Sequence, residues 1–156
     1  MRFMILVFAL LAQPVLADER RIITSLGQEL SFDRAEGQVR YIANPFWWDL
    51  QPVFGASVSD SGAAWLGAGA GLTWRPSATS FFLRVSSMAG VYRRSSGPDL
   101  GGALQFRSAL DLGWRGARGL EYGIGADHRS NAGLNSRNPG LNTGYLFVSF
   151  PLRKPG

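Results

Sequence analysis

The chain contains no cysteine, one histidine and one lysine among its 156 residues. The missing thiols exclude a disulfide framework, a cysteine nucleophile and a thiolate metal site. A zinc site built on two or three histidines is excluded within one chain. Any imidazole chemistry must therefore run through His128, and the readings below need neither metal nor other cofactor. Basic charge comes almost wholly from arginine, giving a formal +5 against 11 acids. The arginines stand singly or in pairs, as in Arg20-Arg21 and Arg93-Arg94, with no basic run and no aromatic-plus-basic RNA motif. Nucleic acid is thus a poor partner, and an anionic lipid or lipopolysaccharide surface a better one.

Long apolar runs are also scarce. The one at the start, Met4 to Ala12, is far shorter than the roughly 20 residues of a membrane-spanning helix. Preceded by Arg2 and followed by Val15-Leu16-Ala17, it has the three parts of a secretory signal peptide. Residues 1–17 are expected to be cleaved, leaving 18–156 as one domain of an exported protein.

Beyond Ala17 the pattern is alternation. Leu104, Phe106, Leu110, Leu112 and Trp114, with the small Ser108, share one face against Gln105, Arg107, Ala109, Asp111 and Gly113. The same period of two marks 64–74, 81–91, 118–128 and the stretch around 146–152. With a segment near 50–59 these make six clear strands of about ten residues, the length of a tilted transmembrane strand. Segments 20–32 and 38–43 would bring the number to eight. Turn signals such as Ser59-Asp60-Ser61-Gly62, Arg75-Pro76-Ser77 and Arg115-Gly116-Ala117 fit up-and-down antiparallel connections.

One continuous apolar face opposed by a face of glycines and charges predicts an all-β, up-and-down transmembrane β-barrel of about eight strands in the outer membrane. A soluble periplasmic barrel, with the apolar face turned inward around a ligand, shows the same alternation. Against the membrane reading, the chain does not end on an aromatic residue, but runs from Phe150 into Pro-Leu-Arg-Lys-Pro-Gly.

His128 and Ser130 continue the apolar face of their strand. Residues two apart on a strand project side by side, so an imidazole can serve a hydroxyl there as base. Such a pair on a strand end is also a common interfacial polar pair without chemistry. The stretch HRSNAGLNSRNPGLNTGYLFVSFPL, residues 128–152, resembles the end of the PagL family, outer-membrane lipid A 3-O-deacylases. The family signature is H-x-S-N-A-G-L, then N-x-G, then a last strand.

The resemblance implies a cleavable signal, an eight-stranded barrel and hydrolysis of the ester carrying the 3-hydroxyacyl chain of lipid A in the outer leaflet. It assigns His128 as general base, Ser130 as nucleophile and Asn138 to the oxyanion hole, with Asn131 and Gly133 shaping the adjacent turn. The best-known family members carry Glu as third triad member where this chain has Asn142. An amide oxygen can orient an imidazole but supplies no charge to stabilise the imidazolium. Asn142 shares parity with Leu146 and Val148, on the face of His128, whereas Asp127 and Glu121 have the opposite parity. Three outcomes stay open: a slower Ser-His-Asn hydrolase, a hydrolase using another acid, or a non-enzymatic barrel with a decayed site. Arg93, Arg94, Arg129 and Arg137 are candidate contacts for phosphates or sugars.

Overall fold

A computed structural model of the chain describes residues 19–152; the expected signal segment 1–17 lies outside them. Eight antiparallel strands follow one another: β1 (Arg21–Glu29), β2 (Arg34–Ile42), β3 (Gln51–Ser59), β4 (Ala64–Trp74), β5 (Phe81–Arg93), β6 (Leu104–Arg115), β7 (Glu121–Ser130) and β8 (Leu141–Pro151). Each pairs with its chain neighbour, and β1 pairs with β8 to close a barrel. Closure removes every free sheet edge, as hydrocarbon requires of a spanning sheet.

The expected strands are present with shifted ends. The segment 20–32 stops at Glu29, because residues 30–33 turn the chain, with the Asp33 N–H donating to the Glu29 carbonyl and Asp33 at φ 53°. β2 begins at Arg34 rather than 38. Its first half, Ala35-Glu36-Gly37, carries no large apolar side chain, which hid the alternation from a hydrophobic pattern.

Alternation decides which side chains meet which solvent. Leu26, Val39, Phe54, Leu66, Val91, Ile124 and Leu146 face outward and are exposed, each by half or more of its surface. Apolar side chains thus cover the outside, which excludes the soluble reading with its apolar face inward. The interior is filled instead with charge. Arg40 pairs with Asp111 at 2.9 Å, Arg84 with Glu121 at 2.6 Å, and Arg107 with both Glu36 at 3.0 Å and Asp127 at 2.6 Å. All these groups are buried, and such ions persist in a lumen only when paired and hydrogen-bonded. Trp65, Phe82, Met88, Tyr145 and Phe147 pack among them. Gly125 lacks a Cβ where one would overlap the Tyr145 ring; the space lets the Tyr145 hydroxyl donate to Asp111 at 2.7 Å.

The two ends of the barrel differ. At the end where β1 begins and β8 finishes, Tyr41 stacks on Phe54 and Phe81 meets Trp114 edge-on. Trp74, Tyr122 and Phe150 are exposed near them, forming the aromatic girdle usual at a membrane interface. The opposite end carries the connections 30–33, 60–63, 94–103 and 131–140, and the last two of these are the longest in the barrel.

Candidate active site

β7 and β8 bring the sequence-nominated residues to the long-loop end, on the outer wall. Register pairs His128 with Asn142 and His128 with Ser108 of β6. His128 Nδ1 lies 2.8 Å from Asn142 Oδ1. An amide oxygen only accepts, so Nδ1 carries the proton and Nε2 keeps its lone pair, the tautomer a general base requires. Asp127 and Glu121 turn inward to the arginine network, as parity demands.

The direction of Nε2 follows from Gly140. A Cβ on that glycine would sit 2.9 Å from His128 Cε1 and 3.6 Å from Nε2. The free edge of the ring therefore faces Gly140, just past the last β7–β8 register pair, Arg129 with Leu141, toward the end of the strand that carries Ser130. Gly140 has φ +70°, so its lack of a side chain serves both the backbone turn and the ring. Ser130 is half-buried, and its Oγ has no hydrogen-bond partner among the described residues.

The loop after Ser130 is organised by asparagine. Asn131 is fully buried, and its Nδ2 donates to the carbonyls of Leu100 at 3.1 Å and Arg137 at 2.7 Å. Its Oδ1 accepts from the Gly133 N–H at 3.0 Å, and its own N–H donates to Asn138 Oδ1 at 3.0 Å. That last bond holds the Asn138 carboxamide over the turn with Nδ2 still free to donate. Ala132 and Gly133 follow at φ 54° and 78°. The backbone N–H groups at 131 and 133 are thus already engaged. The Ala132 N–H is the one of the three without a partner among the described residues.

A groove of about 580 Å³ runs down the wall beneath this site, lined by Leu30, Val85, Ser108, Leu110, Ala126 and His128 among others. Ala126, one row below His128 on the same face of β7, gives it a low floor. Among the candidate arginines, Arg129 is not a surface group: it lies inside the barrel and is bonded to Glu36. Its odd position on β7 puts it in the lumen, since the strand continues through Ser130. Arg94 and Arg137 are exposed near Asp99, at 3.9 and 3.5 Å, and Arg93 faces outward at the rim.

A family model described as lipid A 3-O-deacylase (PagL) matches residues 25–151. The chain belongs to the PagL family. Among solved structures it is similar to the outer-membrane enzyme PagL, with TM-score 0.70 and 20% identity over 85% of this chain and 99% of that one. A de novo designed transmembrane β-barrel matches with TM-score 0.63 and 9% identity, covering 87% of this chain and 98% of the design. The Yersinia pestis outer-membrane protein Ail matches with TM-score 0.53 and 12% identity, covering 86% of this chain and 100% of Ail. At these identities the likenesses carry the fold alone. No curated protein sequence matches the chain. Membership in the PagL family, together with the closed barrel and its apolar exterior, makes this an outer-membrane β-barrel protein. Sequence reasoning missed Gly140 and Ser108 as parts of the site. Ser108 carried a usable signal: it is a polar residue in the middle of an otherwise apolar face.

Proposed function

We propose that the protein is a lipid A 3-O-deacylase that uses Ser130 as nucleophile, His128 as general base and Asn142 to orient the imidazole. The hydrogen bond from His128 Nδ1 to Asn142 Oδ1 carries this reading, because it leaves Nε2 basic and aimed toward the Ser130 row. Residues 1–17 act as an export signal, and 18–156 form the single barrel domain.

Ser130 Oγ attacks the acyl carbonyl carbon while Nε2 takes its proton. The tetrahedral oxyanion is met by Asn138 Nδ2 and the Ala132 N–H. The ester C–O bond to the sugar then breaks, and His128 returns the proton to the sugar oxygen. Water, deprotonated by His128, releases the 3-hydroxy fatty acid from Ser130. An outward site suits a substrate that lies beside the barrel in the outer leaflet: the ester meets Ser130 at the rim while its chain occupies the groove over Ala126 and Leu110. With the start of β1 and the end of β8 on the periplasmic side, the longer connections and the site face outward, the usual orientation of such barrels.

The test is mass spectrometry of lipid A from Gram-negative cells expressing the protein. Loss of one 3-hydroxyacyl group, absent with Ser130→Ala, is the expected result. Unchanged lipid A beside folded, heat-modifiable protein in the outer-membrane fraction would leave only the decayed-barrel reading.

A further inference from the structure

Four guanidinium groups converge on one carboxylate inside the barrel, at the end where β1 begins and β8 finishes. Glu121, the first residue of β7, is fully buried there. Its oxygens lie 3.1 Å from Arg21 Nε, 2.6 Å from Arg84 Nη2, 3.3 Å from Arg75 Nη2 and 3.1 Å from Arg115 Nη2. Glu19 adds a second carboxylate, 3.1 Å from Arg75 Nη1. Asp111, whose charge Arg40 already matches at 2.9 Å, approaches Arg84 Nη1 only to 3.6 Å. With the Arg40–Asp111 pair set aside, four cations face two carboxylates. Two positive charges stay uncompensated among the described residues.

The other half of the lumen has no such excess, since Arg107 and Arg129 meet Glu36 and Asp127. Charges removed from water are costly unless paired and hydrogen-bonded. Two donors of the cluster are unmet: Arg75 Nε and Arg84 Nη1 are buried without a hydrogen-bond partner among the described residues. Burial holds the Arg75 guanidinium below its ordinary value, and the Arg115 and Arg84 cations add to this against the pull of Glu19 and Glu121. One side of the cluster is open to water. The Arg75 and Arg115 side chains are 24% and 36% exposed, whereas those of Arg21 and Arg84 are buried. A small solute can therefore reach the outer two guanidinium groups, with the buried two behind them.

We infer that this mouth of the barrel is an anion site, in which Arg75 and Arg115, backed by Arg21 and Arg84, bind a doubly charged oxyanion of the phosphate-monoester class. Such a group carries about −1.5 to −2 charge near pH 7 and three strong acceptor oxygens, which matches the two surplus cations. Arginine presents its donors as a planar fork suited to those oxygens. A phosphodiester, with a single charge, leaves one cation uncompensated. The four arginines come from different strands: Arg21 opens β1, Arg75 follows β4, Arg84 lies in β5 and Arg115 ends β6. A bound dianion thus ties these strand ends together across the mouth. The site lies at the opposite end of the barrel from Ser130, so it stands or falls independently of the hydrolase reading.

The test reads binding. Protein purified from outer membranes in an uncharged maltoside detergent is titrated calorimetrically with methyl phosphate and with dimethyl phosphate, at about pH 7 and equal ionic strength. Methyl phosphate should bind about tenfold more tightly than the diester. Arg75→Gln combined with Arg115→Gln removes both surplus charges, and should weaken methyl phosphate binding by about tenfold or more. Glu19→Gln adds a surplus charge and should tighten that binding severalfold, a gain that a disturbed fold does not produce. Heat-modifiable migration checks that each variant is folded. Equal affinity for the two esters, no saturable binding, or an affinity that survives the double substitution would overturn the site. Should the double variant fail to fold, Glu19→Gln decides alone, and an unchanged affinity there counts against the proposal.

Discussion

His128 and Asn142 face each other across the β7–β8 ladder with 2.8 Å between Nδ1 and Oδ1. The contact fixes the tautomer without adding charge. A carboxylate at the same place would do both, since a hydrogen bond to an ionised acceptor is roughly twice as strong as a neutral one. Asn142→Glu should therefore raise kcat for deacylation by about tenfold, equivalent to roughly 1.4 kcal/mol of extra imidazolium stabilisation. Asn142→Ala should lower it by about the same factor or more. Steady-state hydrolysis of a micellar lipid A substrate measures both, and a slower Asn142→Glu variant would speak against the assigned role.

Gly140 leaves the ring its space. Gly140→Ala places a methyl 2.9 Å from His128 Cε1 and asks an L-residue to hold φ +70°. The backbone cost is about 1–2 kcal/mol, too little to unfold a closed barrel. The displaced imidazole should lower kcat by about a hundredfold, the scale of a misplaced catalytic group, with KM nearly unchanged. Equal losses in kcat and thermal stability would point to a structural effect alone.

Asn131 ties two loops together through the Leu100 and Arg137 carbonyls. Asn131→Ala leaves these two acceptors, one buried and one part-buried, without that donor, at about 1–3 kcal/mol. Because that cost falls on the loop, residues 131–140 should become susceptible to protease while the barrel keeps its heat-modifiable migration.

Inside the lumen, Arg107 bridges Glu36 and Asp127. Arg107→Met keeps the volume but leaves Asp127 without that cation, and breaking a buried pair costs about 3–5 kcal/mol. Adding Asp127→Asn should recover part of the loss, because the two sites share one network. Urea unfolding in vesicles, followed by Trp fluorescence, gives both values.

On the outer wall, Leu26, Leu146 and Ile124 lie side by side in one row. Leu146→Arg should cost about 2–4 kcal/mol if that row lies near the bilayer midplane. The deficit should appear in lipid vesicles. A loss equally large in a water-soluble form would contradict a lipid-facing wall.

Much of this architecture was legible because strand parity is local. Alternation at 104–114 or 118–128 needs only neighbouring residues to reveal two faces, one apolar and one of glycines and charges. The same parity separated Asp127 from His128. β2 was harder to read: Ala35 and Gly37 carry too little apolar surface to mark a face. Arg129 was misplaced because the end of β7 is set by pairing with β6 rather than by any turn residue.

The sequence by itself determined the strand rhythm, the division of each strand into an apolar and a polar face, and the row of residues on which His128 and Ser130 stand. Tertiary structure alone decided that Asn142 lies opposite His128, that Ser108 flanks it, and that Asn138 folds back on Asn131. The physical reason is register. Sliding one strand past its neighbour by two residues preserves every face but changes every cross-strand partner. Only closure of the whole barrel, with β1 locked to β8 and charges matched across the lumen, selects one alignment.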